Sequence, residues 1–329
     1  MTEKVRILVP GVIRERVVDR LNERFTVVRI ERDDPALLSP EDAAAIAGAA
    51  VSGTFGAALI ERLPALEMIA SFGVGYDGVD VTAAAARGIV VTNTPDVLND
   101  EVADAAIGLL INTVRRLPQA EAWLREGRWV GEGAFPLSPL SLRGRRAGIY
   151  GLGRIGMAIA SRLKGFGIPV AYHTRRRRED VPYLYYPSLE ELAAAVDILI
   201  AIVPKTAETH RTVDARILRA LGPNGVLINV GRGWTVDDEA LAAALADGTI
   251  AAAGLDVFHD EPNVPPAFLD LPNMTLTPHV ASASVVTRNA MADLVADNLV
   301  AWFERGAALT PVPETPVMRR AGPAAESLR

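Results

Sequence analysis

Arg146-Ala147-Gly148-Ile149-Tyr150-Gly151-Leu152-Gly153-Arg154-Ile155-Gly156 is the stretch whose reading decides the fold. Its second half has the form G-x-G-x-x-G. With 27 glycines in the chain, such a match arises easily by itself. The setting makes it specific. A strand-like run, Arg146–Tyr150, precedes it, and Ile155–Leu163 follows with helical spacing. In that order Gly151 permits a tight turn, Gly153 lets backbone approach a pyrophosphate, and Gly156 lets helix and strand pack closely. The helix start then presents N–H groups to an anion. The alternative is a plain strand–helix turn.

Outward from this turn, strand and helix patterns alternate. Downstream strand candidates are Pro169–His173, Ile198–Ile202, Val226–Val230, Ile250–Gly254 and Met274–Leu276. With Ala147–Tyr150 they make six, enough for a complete dinucleotide-binding sheet. Ser188 and Glu191 have capping-box spacing at the start of one intervening helix. Upstream, Val5–Val9, Thr26–Ile30, Ala49–Val51, Met68–Ala70 and Ile89–Val91 read as a second αβ series, with helical patterns at Ile13–Leu21 and Ala43–Ala47. A long helix is predicted from Asn99, broken near Pro118, then a Gly- and Pro-rich loop from Gly127 to Pro139. The last helix runs from about Ser284 to Glu304. The expected fold class is α/β with two doubly wound parallel-sheet domains.

Composition narrows the function classes. The 329 residues carry a net charge of −6, so no general attraction to nucleic acid or anionic membrane is expected. The absence of cysteine removes disulfides, thiolate zinc sites and cysteine nucleophiles, and no metal is expected. No signal-peptide pattern and no apolar run of about 20 residues is present, so the cytoplasm is the expected compartment.

An acidic residue about 20 positions beyond the glycine turn would bind a ribose 2′-hydroxyl. Here Tyr172-His173 is followed by Thr174 and four arginines, Arg175–Arg178. Guanidinium supplies the bidentate donors that a phosphate needs. NADP(H) is therefore the predicted cofactor, with NAD(H) still usable. Arg175 and Arg176 are assigned to the 2′-phosphate, and Arg177 and Arg178 to solvent; a wholly solvated run is the alternative.

Of the four histidines, His279 follows the strand-like Thr275-Leu276-Thr277 and Pro278, which places it at the sheet's carboxyl edge. Arg232 follows strand Val226–Val230, and Glu261 lies just beyond Ile250–Gly254. Reduction of a 2-oxo acid needs such a set. A cation holds the carboxylate and polarises the carbonyl, an imidazole gives the proton, and a carboxylate orients the imidazole and favours its charged form. Each group alone has an ordinary structural explanation. His259 competes with His279 but reads as a loop residue; His173 and His210 read as structural or cofactor-adjacent.

Phe72–Asp80, Thr92–Pro95, Asp100–Asp104, Gly151–Gly156, Asn229–Gly233, Gly254–Phe258 with Glu261-Pro262, and Pro278–Ser282 together resemble the D-isomer-specific 2-hydroxyacid dehydrogenase family, most closely its NADP-dependent glyoxylate/hydroxypyruvate reductase and hydroxyphenylpyruvate reductase branch. The resemblance implies Arg232, Glu261 and His279 as catalytic residues. It implies that the Val74 and Gly75 N–H groups, with Arg232, bind a small 2-oxo or 2-hydroxy acid. It implies cofactor contacts at Leu152, Gly153, Arg154 and Ile155, at Thr174, Arg175 and Arg176, at Val230 and Gly231, and at Asp256 facing the nicotinamide carboxamide. It also implies a Rossmann cofactor domain, 99–285, inserted into a flavodoxin-like substrate domain, 1–98 and 286–315, with catalysis in the cleft; separately, the Pro-, Ala- and Arg-rich composition after Pro311 predicts a disordered tail, 316–329. A homodimer using the helix from Asn99 is implied too. Trp234, where a smaller residue is commoner, can narrow the site or pack under its loop, and packing is the expected outcome. Two other readings stay open. One is a dinucleotide-sensing binding protein or corepressor on this scaffold. The other is an NAD-specific phosphoglycerate-type dehydrogenase, which the basic run and the lack of an extra regulatory domain oppose.

Overall fold

The structure, a computed structural model, describes residues 4–315. The tail 316–329 lies outside the described residues. Two compact units form, one from residues 4–98 and 284–315, the other from residues 99–283. The division falls at Ala283/Ser284, two residues before the expected one. Ser284 is the N-cap of helix Val285–Arg305, its hydroxyl accepting from Thr287 N–H, so it moves with that helix.

The first unit holds β1 (Arg6–Pro10), β2 (Thr26–Ile30), β3 (Ile46–Val51), β4 (Met68–Ser71) and β5 (Val90–Thr92). They form one parallel sheet in the order β2-β1-β3-β4-β5, a flavodoxin-like arrangement. Alternation along β1 sends Ile7 and Val9 to one face, against Val17, Leu21, Leu299 and Phe303, and Leu8 to the other, against Ala49, Ile60 and Ile69. Both faces are covered, as a parallel sheet requires.

The second unit holds β6 (Ala147–Tyr150), β7 (Val170–His173), β8 (Leu184–Tyr185), β9 (Ile198–Ala201), β10 (Val226–Asn229), β11 (Ala252–Leu255) and β12 (Met274–Leu276). All pair in parallel, in the order β12-β11-β10-β9-β6-β7-β8. Counted from β6, this is the Rossmann order 3-2-1-4-5-6 with a seventh strand added at the β11 edge. A Cβ on Gly254 would lie 2.5 Å from Thr113 Oγ1 and 2.9 Å from Leu109 Cγ. The bare glycine is what lets helix Asn99–Arg115 lie on the sheet.

Several local expectations shift. β8 was not anticipated, because a two-residue edge strand carries no periodicity. β11 starts at Ala252 rather than Ile250, whose side chain is fully buried in the core ahead of the strand. The Gly127–Pro139 segment contains a short helix, Arg128–Glu132, anchored by Arg128 over the Trp123 ring at 3.7 Å. The break near Pro118 falls at Arg116, which takes a left-handed conformation before helix Leu117–Arg125 restarts. Among the described residues no helix is long and apolar enough to cross a membrane.

Candidate active site

In an open parallel sheet, ligands bind beyond the strands' carboxyl ends, where the winding reverses. In the second unit that point lies between β6 and β9. A cavity of about 1130 Å³ opens there, lined by the ends of β6, β7 and β9. Gly151 has φ +104°, and a Cβ on it would lie 2.6 Å from Ile202 O. A Cβ on Gly156 would lie 2.3 Å from Gly151 O. A Cβ on Gly153, by contrast, meets nothing within 4 Å. Gly151 and Gly156 thus close the turn, and Gly153 leaves its outer side open. Gly153 is also the N-cap of helix Arg154–Gly165 and supplies no side-chain acceptor. Arg154, Ile155 and Gly156 form that helix's first turn, so its N–H groups are available to an anion.

Thr174, Arg175, Arg176 and Arg178 line the same cavity. Their loop is internally tied. Thr174 Oγ1 donates to Arg176 O at 2.6 Å, and Arg178 N donates to Tyr172 Oη at 2.9 Å. Arg177 points to solvent and pairs with Glu179 at 3.4 Å. Arg178 departs from its expected solvation. Paired with Asp180, it donates through Nη1 to Leu152 O at 2.8 Å, so it joins the basic loop to the glycine turn. His173 lines the cavity, its Nδ1 2.9 Å from Tyr186 O and its ring stacked on Tyr150. An open glycine, a helix start and three guanidinium groups fit a phosphorylated dinucleotide.

The catalytic candidates follow β10, β11 and β12, adjacent strands whose carboxyl ends share one edge. Buried Asn229, at the end of β10, spends its amide on the next loop: Oδ1 accepts from Gly231 N–H and Nδ2 donates to Arg232 O, each at 3.0 Å. Val230 and Gly231 are packed in this turn, and Arg232 Nη1 reaches Gly231 O at 2.8 Å. After β12, His279 takes φ +52°. Asp256, only 2% exposed, holds that turn. Its carboxylate accepts from Thr277 Oγ1 at 2.6 Å and from Val280 and Ala281 N–H at 2.9 Å, and its carbonyl accepts from His279 N–H at 2.8 Å.

His279 Nδ1 lies 2.6 Å from Glu261 Oε2, and Glu261 Oε1 accepts from Phe258 N–H at 3.0 Å. Burial pushes the Glu261 pKa up. The hydrogen bonds from His279 and Phe258, with the charges of His279 and Arg232, outweigh it and leave the carboxyl below its ordinary value. With Nδ1 committed to a carboxylate, Nε2 is the nitrogen left to pass a proton outward. Val74 and Gly75 lie in the first unit, on the loop after β4, where Asn93 Nδ2 holds Val74 O at 2.8 Å.

Residues 107–281 match the family described as D-isomer specific 2-hydroxyacid dehydrogenase, NAD binding domain. The chain belongs to that family. Within it, the chain is 66% identical to an NADPH-dependent glyoxylate/hydroxypyruvate reductase from Sinorhizobium meliloti, solved in complex with NADP and malonate. That structure aligns at TM-score 0.95 over 97% of this chain and all of its own. The chain is 43% identical to glyoxylate/hydroxypyruvate reductase A of Arabidopsis thaliana, over 94% of this chain and 99% of that one. It is 45% identical to hydroxyphenylpyruvate reductase of Plectranthus scutellarioides, over 89% and 94% respectively.

Sequence reasoning missed two features of this 2-hydroxyacid dehydrogenase's site. One is the Arg178–Leu152 tie, hidden because neighbouring arginines look alike in a charge run. The other is the position of Trp234. Half-buried, it packs against two histidines, with His210 at 3.9 Å and His259 at 5.5 Å between ring centroids, the two imidazoles being 6.0 Å from each other. No signal in the spacing of positions 210, 234 and 259 points to that stack.

Proposed function

We propose that this dehydrogenase is an NADPH-dependent reductase of small 2-oxo acids: glyoxylate, hydroxypyruvate or an aryl pyruvate. The observation that carries the proposal is the 2.6 Å contact between His279 Nδ1 and Glu261 Oε2 at the carboxyl edge of a dinucleotide sheet. The names of the relatives set the substrate class, and the arginines lining the cavity support the 2′-phosphorylated cofactor.

NADPH would be held by Gly151–Gly156, by Arg175 and Arg176 at its 2′-phosphate, and by Thr174, Val230, Gly231 and Asp256. A nicotinamide held there would supply the hydride that C2 receives. Arg232 holds the substrate carboxylate and polarises the carbonyl toward the charge it gains. His279 Nε2 delivers a proton to the developing alkoxide, and Glu261 balances the imidazolium until then. The N–H groups of Val74 and Gly75 are the first unit's proposed ligands for a carboxylate. Asn93 pins the Val74 carbonyl, so the Gly75 N–H of that trans peptide is directed the opposite way.

The compartment we propose is the cytoplasm, and the assembly a homodimer using helix Asn99–Arg115 and the segment after it. In that segment Trp129, Val130 and Leu137 are 62%, 97% and 94% exposed, an apolar surface that a partner copy would cover. Light scattering on the purified chain reads the dimer directly.

The test is loss of NADPH absorbance with glyoxylate, hydroxypyruvate, pyruvate and phenylpyruvate, repeated with NADH. Turnover with at least one acid, faster with NADPH, is expected. No turnover with any of them refutes the proposal.

A further inference from the structure

His210, Trp234 and His259 form a stack that the proposed reaction does not use. The Trp234 indole lies against His210 at 28° between ring planes and against His259 at 20°. Its Nε1 donates to Thr206 O at 2.8 Å, and Lys205 Nζ sits 4.8 Å from the ring. Its carbonyl accepts from Arg211 N–H at 2.9 Å. The two histidine rings are themselves 6.0 Å apart, so both lie to one side of the indole, His210 stacked on it and His259 beside it, and the ring's polar edge is tied by a hydrogen bond.

The neighbours of the stack make this fixation matter. Trp234 is two residues from Arg232, and His259 is two residues from Glu261. Between them the loops touch through bare backbone. A Cβ on Gly233 would fall 1.9 Å from the Phe258 carbonyl carbon. Phe258 N–H in turn donates to Glu261 Oε1, and Glu261 Oε2 meets His279 Nδ1. A continuous physical path therefore runs from the indole through His259 and the Phe258 peptide to Glu261 and His279.

We infer that Trp234 is a positioning residue: packed in one cluster with His210 and His259, it fixes the Arg232 loop against the Glu261 loop and so sets the Glu261–His279 contact. Stacking is the working part of the cluster, and the indole N–H secures it to the cofactor-cavity loop. The inference rests on the catalytic reading of Arg232, Glu261 and His279.

The chain has four histidines, so ¹⁵N-histidine labelling gives four imidazoles to follow by NMR, with His279 assigned from its loss in His279→Ala. The Nδ1 proton of a carboxylate-bonded imidazole is a direct reporter of the Glu261 contact, with or without substrate. In Trp234→Ala that signal is expected to broaden or vanish, while Trp234→Phe, which keeps a stacking ring, retains it. Misplacement by 1 Å can cost about 100-fold in rate, so a loosened cluster in Trp234→Ala is expected to lower kcat roughly 10-fold. Thr206 and His210 line the cofactor cavity, so kcat is read at saturating NADPH, where a change in cofactor affinity does not enter. His259→Ala should act through the same stack, so the double alanine variant should lose little more than either single one.

A wild-type His279 signal in Trp234→Ala overturns the inference. So does a Trp234→Phe variant that behaves like Trp234→Ala, or single losses that multiply in the double variant. If the wild-type enzyme reduces none of the four acids, the proposed function fails, and the NMR signal still decides the positioning role.

Discussion

Replacing Glu261 by glutamine removes one charge and almost no volume, and it tests the core of the site. The glutamate uses both oxygens: Oε2 meets His279 Nδ1 at 2.6 Å, and Oε1 accepts from Phe258 N–H at 3.0 Å. An amide can satisfy only one of these donors. With its oxygen toward Phe258, its NH2 faces Nδ1 and forces that nitrogen to be an acceptor, leaving a neutral imidazole as the acid. Turned over, it sets NH2 against the Phe258 N–H. Hydrogen bonds to charged groups contribute about 1.5–3 kcal/mol, equivalent to roughly 10- to 150-fold in rate. The His279 and Glu261 side chains are 46% and 34% exposed, so solvent screening favours the lower part of that range. The expected loss in kcat is about 10- to 50-fold, read from NADPH oxidation under saturating acid. NADPH Kd, measured by fluorescence titration, should not change, because no cavity-lining group is touched. Unchanged kcat in a folded variant, or a loss carried entirely by NADPH affinity, would refute the reasoning. The acid range gives a second reading. Glu261 titrates below its ordinary carboxylate value in the folded state, so near that value the unfolded chain binds more protons. Its stabilising contribution is complete above that ordinary value and is lost as pH falls through the depressed one. Glu261→Gln should flatten that part of a Tm-against-pH curve.

Three further outcomes are expected. Arg175→Ala with Arg176→Ala removes two charge-assisted phosphate contacts, about 3 kcal/mol together, so NADPH Kd should rise roughly 100-fold and NADH Kd hardly move; equal weakening of both cofactors in titration contradicts the 2′-phosphate role. Gly156→Ala drives a Cβ to 2.3 Å from Gly151 O, whereas a Cβ on Gly153 meets nothing within 4 Å. Overpacking costs about 1–3 kcal/mol, so Gly156→Ala should lower Tm clearly while Gly153→Ala keeps its Tm and loses cofactor affinity; the reverse ranking would reject the assigned roles. Asp256→Asn turns an acceptor toward a buried N–H into a donor, a cost of about 1–3 kcal/mol, or roughly 2–12 °C in Tm for a unit of this size. A thermal melt and an assay at low temperature should show lower stability together with lower turnover, and an unaltered Tm would mean that Asp256 is not the support of the His279 turn.

Most of the second sheet was legible because its central strands β6, β9, β10 and β11 are buried, mainly apolar runs. Ala147–Tyr150 and Met274–Leu276 have the ends that their sequence suggests. β8 was not legible: two residues at a sheet edge, Leu184 exposed, have no pattern for the chain to carry. Ile250 misled for the opposite reason, since a buried side chain in a turn resembles the start of a strand. Arg178 shows the same limit in the site. Residue type makes it one cation among four, and only the backbone curvature set by the Tyr172–Arg178 hydrogen bonds turns it toward Leu152 O.

The proximity of Glu261 and His279 was legible for a physical reason that local sequence lacks. Glu261 and His279 are 18 positions apart, and Arg232 lies 29 positions before Glu261, so no local spacing joins them. What joins them is parallelism. Each follows a strand, the strands β10, β11 and β12 are neighbours, and parallel neighbours deliver their next residues to one edge. Edge logic fixes residues only to within a loop. The final placement comes from polar groups with no freedom left. Asn229 uses both ends of its amide on the Arg232 turn, and Asp256 uses both oxygens on the His279 turn. Both side chains are buried at strand ends, where an unpaired acceptor is costly, so each enforces a single loop geometry. Candidate catalytic groups half-exposed to solvent can be held in place by such buried neighbours, because the energy that resists their displacement sits behind them in the core.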